Sequence, residues 1–238
     1  MIMDPSTEQR FVVVTGASKG IGRATTLALV KEYGCSVLAI GRSAEELNSL
    51  YKEAGGGVEI LVLDITGPNA VELLLRSVAG RRVHGLINNA GLLITRPFGL
   101  WTEKDMGSLF QTNVFAPVLL AQALLPALQG KIPGHIVNIG SMGGFQGSAK
   151  FQGLLAYSAS KAALANVTEC MAEEFKDLGV RVNCLCIGAV DTDMLRAAFP
   201  GYTAQVGTSS MGAYVAQFIL EGHKLFNGKV LPVSSSTP

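Results

Sequence analysis

Tyr157 and Lys161 stand four residues apart at the opening of an apolar segment, Tyr157-Ser-Ala-Ser-Lys161, so a helix there would put phenol and ammonium on one face. A phenol titrates near ~10, too high for ready proton exchange at neutral pH, and an ammonium beside it favours the phenolate and lowers that value. The pair is expected to serve as acid and base. Alone, Tyr-x-x-x-Lys is a common surface pattern, so its weight depends on its company. Ser141 closes the strand-like run His135-Ile-Val-Asn-Ile-Gly-Ser141, where a hydroxyl can hold a carbonyl or alcohol oxygen. Asn113, in Gln111-Thr-Asn-Val-Phe115, is an amide inside an otherwise apolar helical segment with Pro117 four residues on; a kinked helix holding a water is the expectation.

A second constellation points to phosphate. The run Phe11–Thr15 leads directly into Thr15-Gly16-Ala17-Ser18-Lys19-Gly20-Ile21-Gly22 and then into a helical stretch. Glycines at that position let the chain turn sharply and aim backbone N–H groups and a helix N-terminus at a pyrophosphate. The spacing is Gly-x-x-x-Gly-x-Gly rather than Gly-x-Gly-x-x-Gly. In NAD binders an acid at the end of the second strand holds the ribose 2′-hydroxyl. Here that place reads Gly41-Arg42-Ser43, a guanidinium suited to a 2′-phosphate, with Lys19 as a second cation. NADP(H) is therefore expected over NAD. Asn88-Asn89-Ala90-Gly91, after the fourth strand, suits a backbone passing close to a ligand.

The elements that must position these groups alternate along the chain. Phe11–Thr15, Ser36–Ile40, Val58–Asp64, Val83–Asn88, His135–Ser141, Val180–Ile187 and Lys229–Val233 read as strands, several apolar throughout, as in a parallel sheet covered on both faces. Between them Ser43-Ala-Glu-Glu46 and Thr102-Glu-Lys-Asp105 read as helix starts, and Gly34, Gly55 and Gly179 as stops. The expected fold is α/β: a doubly wound Rossmann fold, a seven-stranded parallel sheet with helices on both faces, spanning residues 1–238 as one unit. Its ligand site would lie beyond the carboxyl ends of the strands.

Composition excludes several other classes. Hydrophobic residues make up 48% of 238, charged residues 16%, and the formal charge is +1, with no basic stripe for nucleic acid. The longest apolar stretch, around Val114–Leu128, is broken by Pro117, Gln122 and Pro126, so no membrane span is expected. Met1–Arg10 lacks an apolar leader, which reads as cytoplasmic. Four cysteines form no C-x-x-C pair and three histidines are far apart in sequence, so no metal is expected. Cys184 and Cys186 read as two small side chains on one strand face.

Together, Thr15–Gly22, Asn88–Gly91, Asn113, Ser141 and Tyr157-x-x-x-Lys161 resemble the short-chain dehydrogenase/reductase family over nearly the whole chain. The resemblance implies that Tyr157 is the general acid or base, that Lys161 lowers its pKa and binds the nicotinamide ribose, that Ser141 orients the carbonyl, and that Asn113 holds a relay water. It further implies cofactor contacts from Gly16, Ser18, Lys19, Gly20, Ile21, Gly22, Arg42 and Ser43, from Asp64 and Ile65 at the adenine, and from Asn89, Ala90 and Gly91. Gly188, Val190 and Thr192, in a loop closing over the nicotinamide, complete that set.

Departures from the family pattern accompany the match. Ile187-Gly188 replaces the usual Pro-Gly, so that loop is expected to be less rigid. Ser141 and Tyr157 are sixteen positions apart, more than the family's usual spacing, and the added loop carries Phe145 and Phe151, which would shape specificity. The lid region, about 193–208, is short, which suggests an open pocket, and a polar tail ends the chain. The activity so implied is hydride transfer between NADPH and a ketone or aldehyde, by a homodimer or homotetramer. A non-catalytic NADPH-binding protein and an NAD-dependent alcohol dehydrogenase stay open as alternatives.

Overall fold

The computed structural model describes residues 9–235. Most of the Met1–Arg10 stretch and the end of the polar tail lie outside the described residues. In chain order the elements are β1 Phe11–Thr15, α1 Gly20–Lys31, β2 Ser36–Gly41, α2 Ala44–Ala54, β3 Val58–Val62, α3 Ala70–Val78, β4 Gly85–Asn88, α4 Glu103–Phe110, α5 Ala116–Leu128, β5 Gly134–Ser141, α6 Leu155–Glu174, β6 Val180–Ile187, α7 Asp193–Ala198, α8 Thr208–Glu221 and β7 Lys229–Val233.

The seven strands form one parallel sheet in the order β3-β2-β1-β4-β5-β6-β7. Strand order reverses between β1 and β4, so the loops that follow them leave in opposite directions and open a crevice at the carboxyl edge. Side chains alternate between two cores. Val12 and Val14 pack on one face with α1, α2 and α8, while Phe11 and Val13 pack on the other with α3, α5 and α6. Both faces are buried, which is why the central strands are apolar throughout.

The expected strands appear with small changes at their ends. The β3 strand stops at Val62 rather than Asp64, because the Asp64 carboxylate accepts from Thr66 N–H at 2.9 Å and from Thr66 Oγ1 at 2.7 Å, turning the chain. Ser43 and Thr102 cap α2 and α4 as read, accepting from the N–H groups of Glu46 and Asp105, and such caps contribute about 1 kcal/mol each. Gly55 and Gly179 sit left-handed at their helix ends.

Two expectations need correction. Glu103–Leu128 runs as one helical stretch of 26 residues, with mean hydropathy 1.4 in its most apolar window, so one helix is long and apolar enough to cross a membrane. Its apolar side, including Leu120, Leu124 and Leu128, packs in the core, and 44% of that window is buried, as in the core helix of an α/β sheet. The histidines are also closer than their spacing suggested: the rings of His135 and His223 lie 5.8 Å apart. His135 is fully buried, with Nδ1 on the Ile219 carbonyl and Nε2 on the Asn183 amide, both at 2.9 Å. That pattern makes Nδ1 the protonated nitrogen, and burial pushes its pKa down to about 4. No metal-binding cluster occurs among the described residues.

Candidate active site

The glycine loop is held from three sides. Gly16 adopts φ +66°, and a side chain there would come within 2.8 Å of the Ala90 Cα. Asn89 Nδ2 donates to the carbonyls of Thr15 at 2.9 Å and Gly16 at 3.1 Å. Thr15, which the sequence did not single out, locks the same junction: its hydroxyl accepts from the N–H groups of Asn89 and Ala90 and donates to Ile87 O. A Thr ending a strand carries no signal by itself; only the pairing of β1 with β4 shows its use. Arg23 adds a brace, donating to Ser18 O, Glu46 O and the Glu53 carboxylate.

A cleft of about 670 Å³ runs along this edge of the sheet. Every cofactor-contact candidate named above except Gly22 lines it, as do Ser141, Tyr157 and Lys161. Gly22 sits behind the loop, where a side chain would lie 2.4 Å from the Gly16 carbonyl and the Asn89 amide; its part is packing. Arg42 and Ser43 stand at the end of β2, facing Asp64 and Ile65 at the end of β3. Thr66 and Glu46 also reach this wall, and Glu46 places a carboxylate there that the sequence had used only as a helix-start residue. Lys19 differs from expectation, because its ammonium pairs with Asp193 at the start of α7, 3.6 Å away.

At the other end, burial dominates. Tyr157 and Lys161 are both buried on α6. Burial pushes the Tyr157 phenol up, and the hydrogen-bonded Ser141 hydroxyl pulls it part of the way back. Lys161 is the residue expected from the sequence to lower the phenol's pKa. Lys161 Nζ donates to the Ile139 carbonyl at 2.8 Å, and burial lowers its pKa to about 8. Beneath it lie Cys184 and Cys186, buried on one face of β6 with sulfurs 4.0 Å apart.

Asn113 is fully buried and does not line the cleft. Its Oδ1 accepts from Leu92 N–H at 2.8 Å, and its Nδ2 donates to Leu92 O at 2.9 Å and Ser160 Oγ at 3.0 Å. Both amide protons are thus taken by protein, and the side chain ties the loop after β4 to α6 rather than holding a water through its N–H groups. Around it the helix widens into a π turn over Gln111–Phe115, in which Ala116 N–H reaches back to Gln111 O. Pro117 has no N–H and cannot close the ordinary bond onto Asn113 O.

Beyond Ser141 and Tyr157 the wall is apolar: Leu92, Leu93, Met142, Leu154, Met194 and Leu195. Of the two loop aromatics, Phe151 lines the cleft, whereas Phe145 turns away and packs on Ala165, Cys184 and Cys186. The Ile187-Gly188 loop is anchored despite lacking proline: Gly188 N–H donates to Val233 O, and Asp191 N–H to Val206 O, both at 2.9 Å. Thr192 caps α7, with its methyl facing Gly20 across the cleft.

These features suit a dinucleotide. A side chain at Gly16 would block the cradle, the loop N–H groups precede a helix N-terminus, and the cations Lys19 and Arg42 line the cleft. The sequence profile described as short chain dehydrogenase matches residues 10–203. The chain is 34% identical over 215 residues to 3-oxoacyl-(acyl-carrier-protein) reductase FabG of Salmonella typhimurium, covering 87% of this chain and 86% of that one. It is 36% identical over 194 residues to L-xylulose reductase of Caenorhabditis elegans, covering 80% and 75%. A solved structure, the Pseudomonas aeruginosa RhlG/NADP active-site complex, superposes with a TM-score of 0.86 at 25% identity, covering 98% of this chain and 99% of the other. The chain belongs to the short-chain dehydrogenase/reductase family, oxidoreductases that use nicotinamide cofactors to transfer hydride to and from small molecules.

Proposed function

We propose that the protein is an NADPH-dependent carbonyl reductase in which Tyr157 gives the proton. The observation that carries this reading is the convergence of Ser141, Tyr157 and Lys161 on the same cleft as the glycine loop. Bound NADPH supplies the hydride. Burial keeps the Tyr157 phenol protonated at neutral pH, the form needed to donate to an oxygen gaining negative charge. The Ser141 hydroxyl, which lines the cleft beside that phenol, would share the same oxygen. Proton transfer of this kind contributes roughly 10²–10⁴-fold, with positioning and hydrogen bonding adding to it. Lys161, fixed on Ile139 O, keeps a buried positive charge behind the phenol, where it would hold a ribose hydroxyl.

Arg42 at the end of β2, with no acid in its place, supports NADPH over NADH. The pair between Lys19 and Asp193 is largely solvent-exposed and weak, so Lys19 can exchange it for a phosphate. Assembly through the α4–α5 and α6 helices as a homodimer or homotetramer, in the cytoplasm, completes the reading. The test is NADPH consumption by purified protein over a panel of ketones and aldehydes, beside titrations with NADPH and NADH. NADPH-selective binding with turnover is expected; tight binding with no turnover on any carbonyl would favour a binding protein instead.

A further inference from the structure

We propose that Phe151 and Phe199 form a partition at the substrate end of the cleft, so that the enzyme takes compact, uncharged carbonyl compounds and excludes long-chain ones. This rests on the carbonyl-reductase reading above. The two rings meet edge to face, with centroids 5.1 Å apart at 76°, and join two segments distant in sequence: the loop between Ser141 and Tyr157, and the end of α7. On the far side of Phe151 is a second cavity of about 630 Å³, lined by the apolar Pro97, Phe98, Trp101 and Leu155 and also by the cations Arg96 and Lys150. Phe151 lines both cavities.

The partition is built to stay in place. Lys150 Nζ donates to Phe145 O at 2.8 Å and Ser148 O at 3.1 Å, folding the loop back on itself just before Phe151. Immediately after it, Leu154 N–H donates to Phe151 O, and Arg96 N–H donates to Gly153 O at 3.0 Å. Phe151 is thus presented by a braced loop.

Charge sets the second half of the proposal. The ionisable groups lining the cleft are Lys19, Arg42, Glu46 and Asp64 toward the adenosine end, Asp193 paired with Lys19, and Lys161 on Ile139 O. The wall beyond Ser141, from Leu92 to Leu154 and Met194, carries none. A carboxylate or phosphate flanking the reacting carbonyl would lose its water there without gaining a partner.

The experiment measures kcat/KM with NADPH for methyl ketones from butanone to dodecanone, and for keto acids of matching length. Wild type should favour the short ketones and discriminate against each matching keto acid by about 100-fold, as an unpaired buried charge demands. Phe151→Ala joins the two cavities and should raise the ratio of long-chain to short-chain efficiency by about tenfold or more, the scale of one or two methylenes. Phe199→Ala should shift the ratio in the same direction. If the alanine variant does not fold, Phe151→Leu carries the test with a smaller shift. A Phe151 variant that binds NADPH like wild type yet keeps the wild-type chain-length profile overturns the partition, and equal turnover of keto acids overturns the uncharged class. Absence of turnover on every ketone and aldehyde by wild type would instead overturn the reductase reading on which both rest.

Discussion

Lys161 Nζ lies 2.8 Å from the carbonyl oxygen of Ile139, two positions before Ser141 on the same strand. The bond ties α6 to the end of β5, so the two elements that carry Tyr157 and Ser141 are set by a contact between backbone and ammonium rather than by the two side chains themselves. The ammonium is costly there: it is 4% exposed, and burial brings its pKa down to about 8.

A lysine depressed in this way has a definite pH signature. Between about pH 8 and the unfolded value near ~10.4, the unfolded chain holds one more proton than the folded one, so stability rises with pH. Urea unfolding of wild type and Lys161→Met across this window should show a rise of about 3 kcal/mol in the wild type that the variant lacks, alongside loss of activity in the variant. Parallel curves would mean that Lys161 is not buried as a cation.

His135 gives the opposite end of the pH scale. Its folded pKa of about 4 lies below the unfolded value near ~6.5, so its contribution is intact above ~6.5 and lost as pH falls toward 4. Replacing it with Gln should remove up to about 3 kcal/mol of acid sensitivity over that window, read as the difference between the two stability profiles.

Two residues of opposite sign, Arg42 and Glu46, line one wall of the cleft. Arg42→Asp should weaken NADPH relative to NADH by about tenfold to a hundredfold, the loss of a charge-assisted contact of ~1.5–3 kcal/mol. Glu46→Gln removes a carboxylate lining the same wall and should tighten NADPH several-fold. Fluorescence titration reads both, and an unchanged NADPH/NADH ratio in Arg42→Asp would remove the 2′-phosphate from this wall.

Gly16 and Gly99 separate conformational need from mere occurrence. Gly16→Ala forces a side chain to within 2.8 Å of backbone at φ +66°, so it should cost about 1–3 kcal/mol and abolish dinucleotide binding. Gly99→Ala meets nothing within 4 Å and should leave binding unchanged. Thermal unfolding with and without NADPH compares them.

The sheet was legible in the sequence because burial on both faces leaves uninterrupted apolar runs, and because helix starts such as Ser43 and Thr102 use local chemistry. Tyr157, Lys161 and the glycine loop were legible for a similar reason: their spacing along one element already fixes their geometry. What escaped depends on contacts between distant segments. Leu92 and Leu154 look like core residues by periodicity, yet they wall the cleft. Nothing local distinguishes Phe145, which packs inward on Cys184 and Cys186, from Phe151, which faces the site. The bond from Lys161 to Ile139 O likewise depends on the sheet beneath it, and no local pattern announces it.

The most direct measurement is Tyr157→Phe assayed for both NADPH affinity and carbonyl turnover beside wild type. The phenylalanine ring keeps the packing of α6 but has no proton to give. NADPH binding should stay within a few-fold of wild type while turnover falls by at least ~10²-fold. Turnover retained at the wild-type level would contradict Tyr157 as the proton donor.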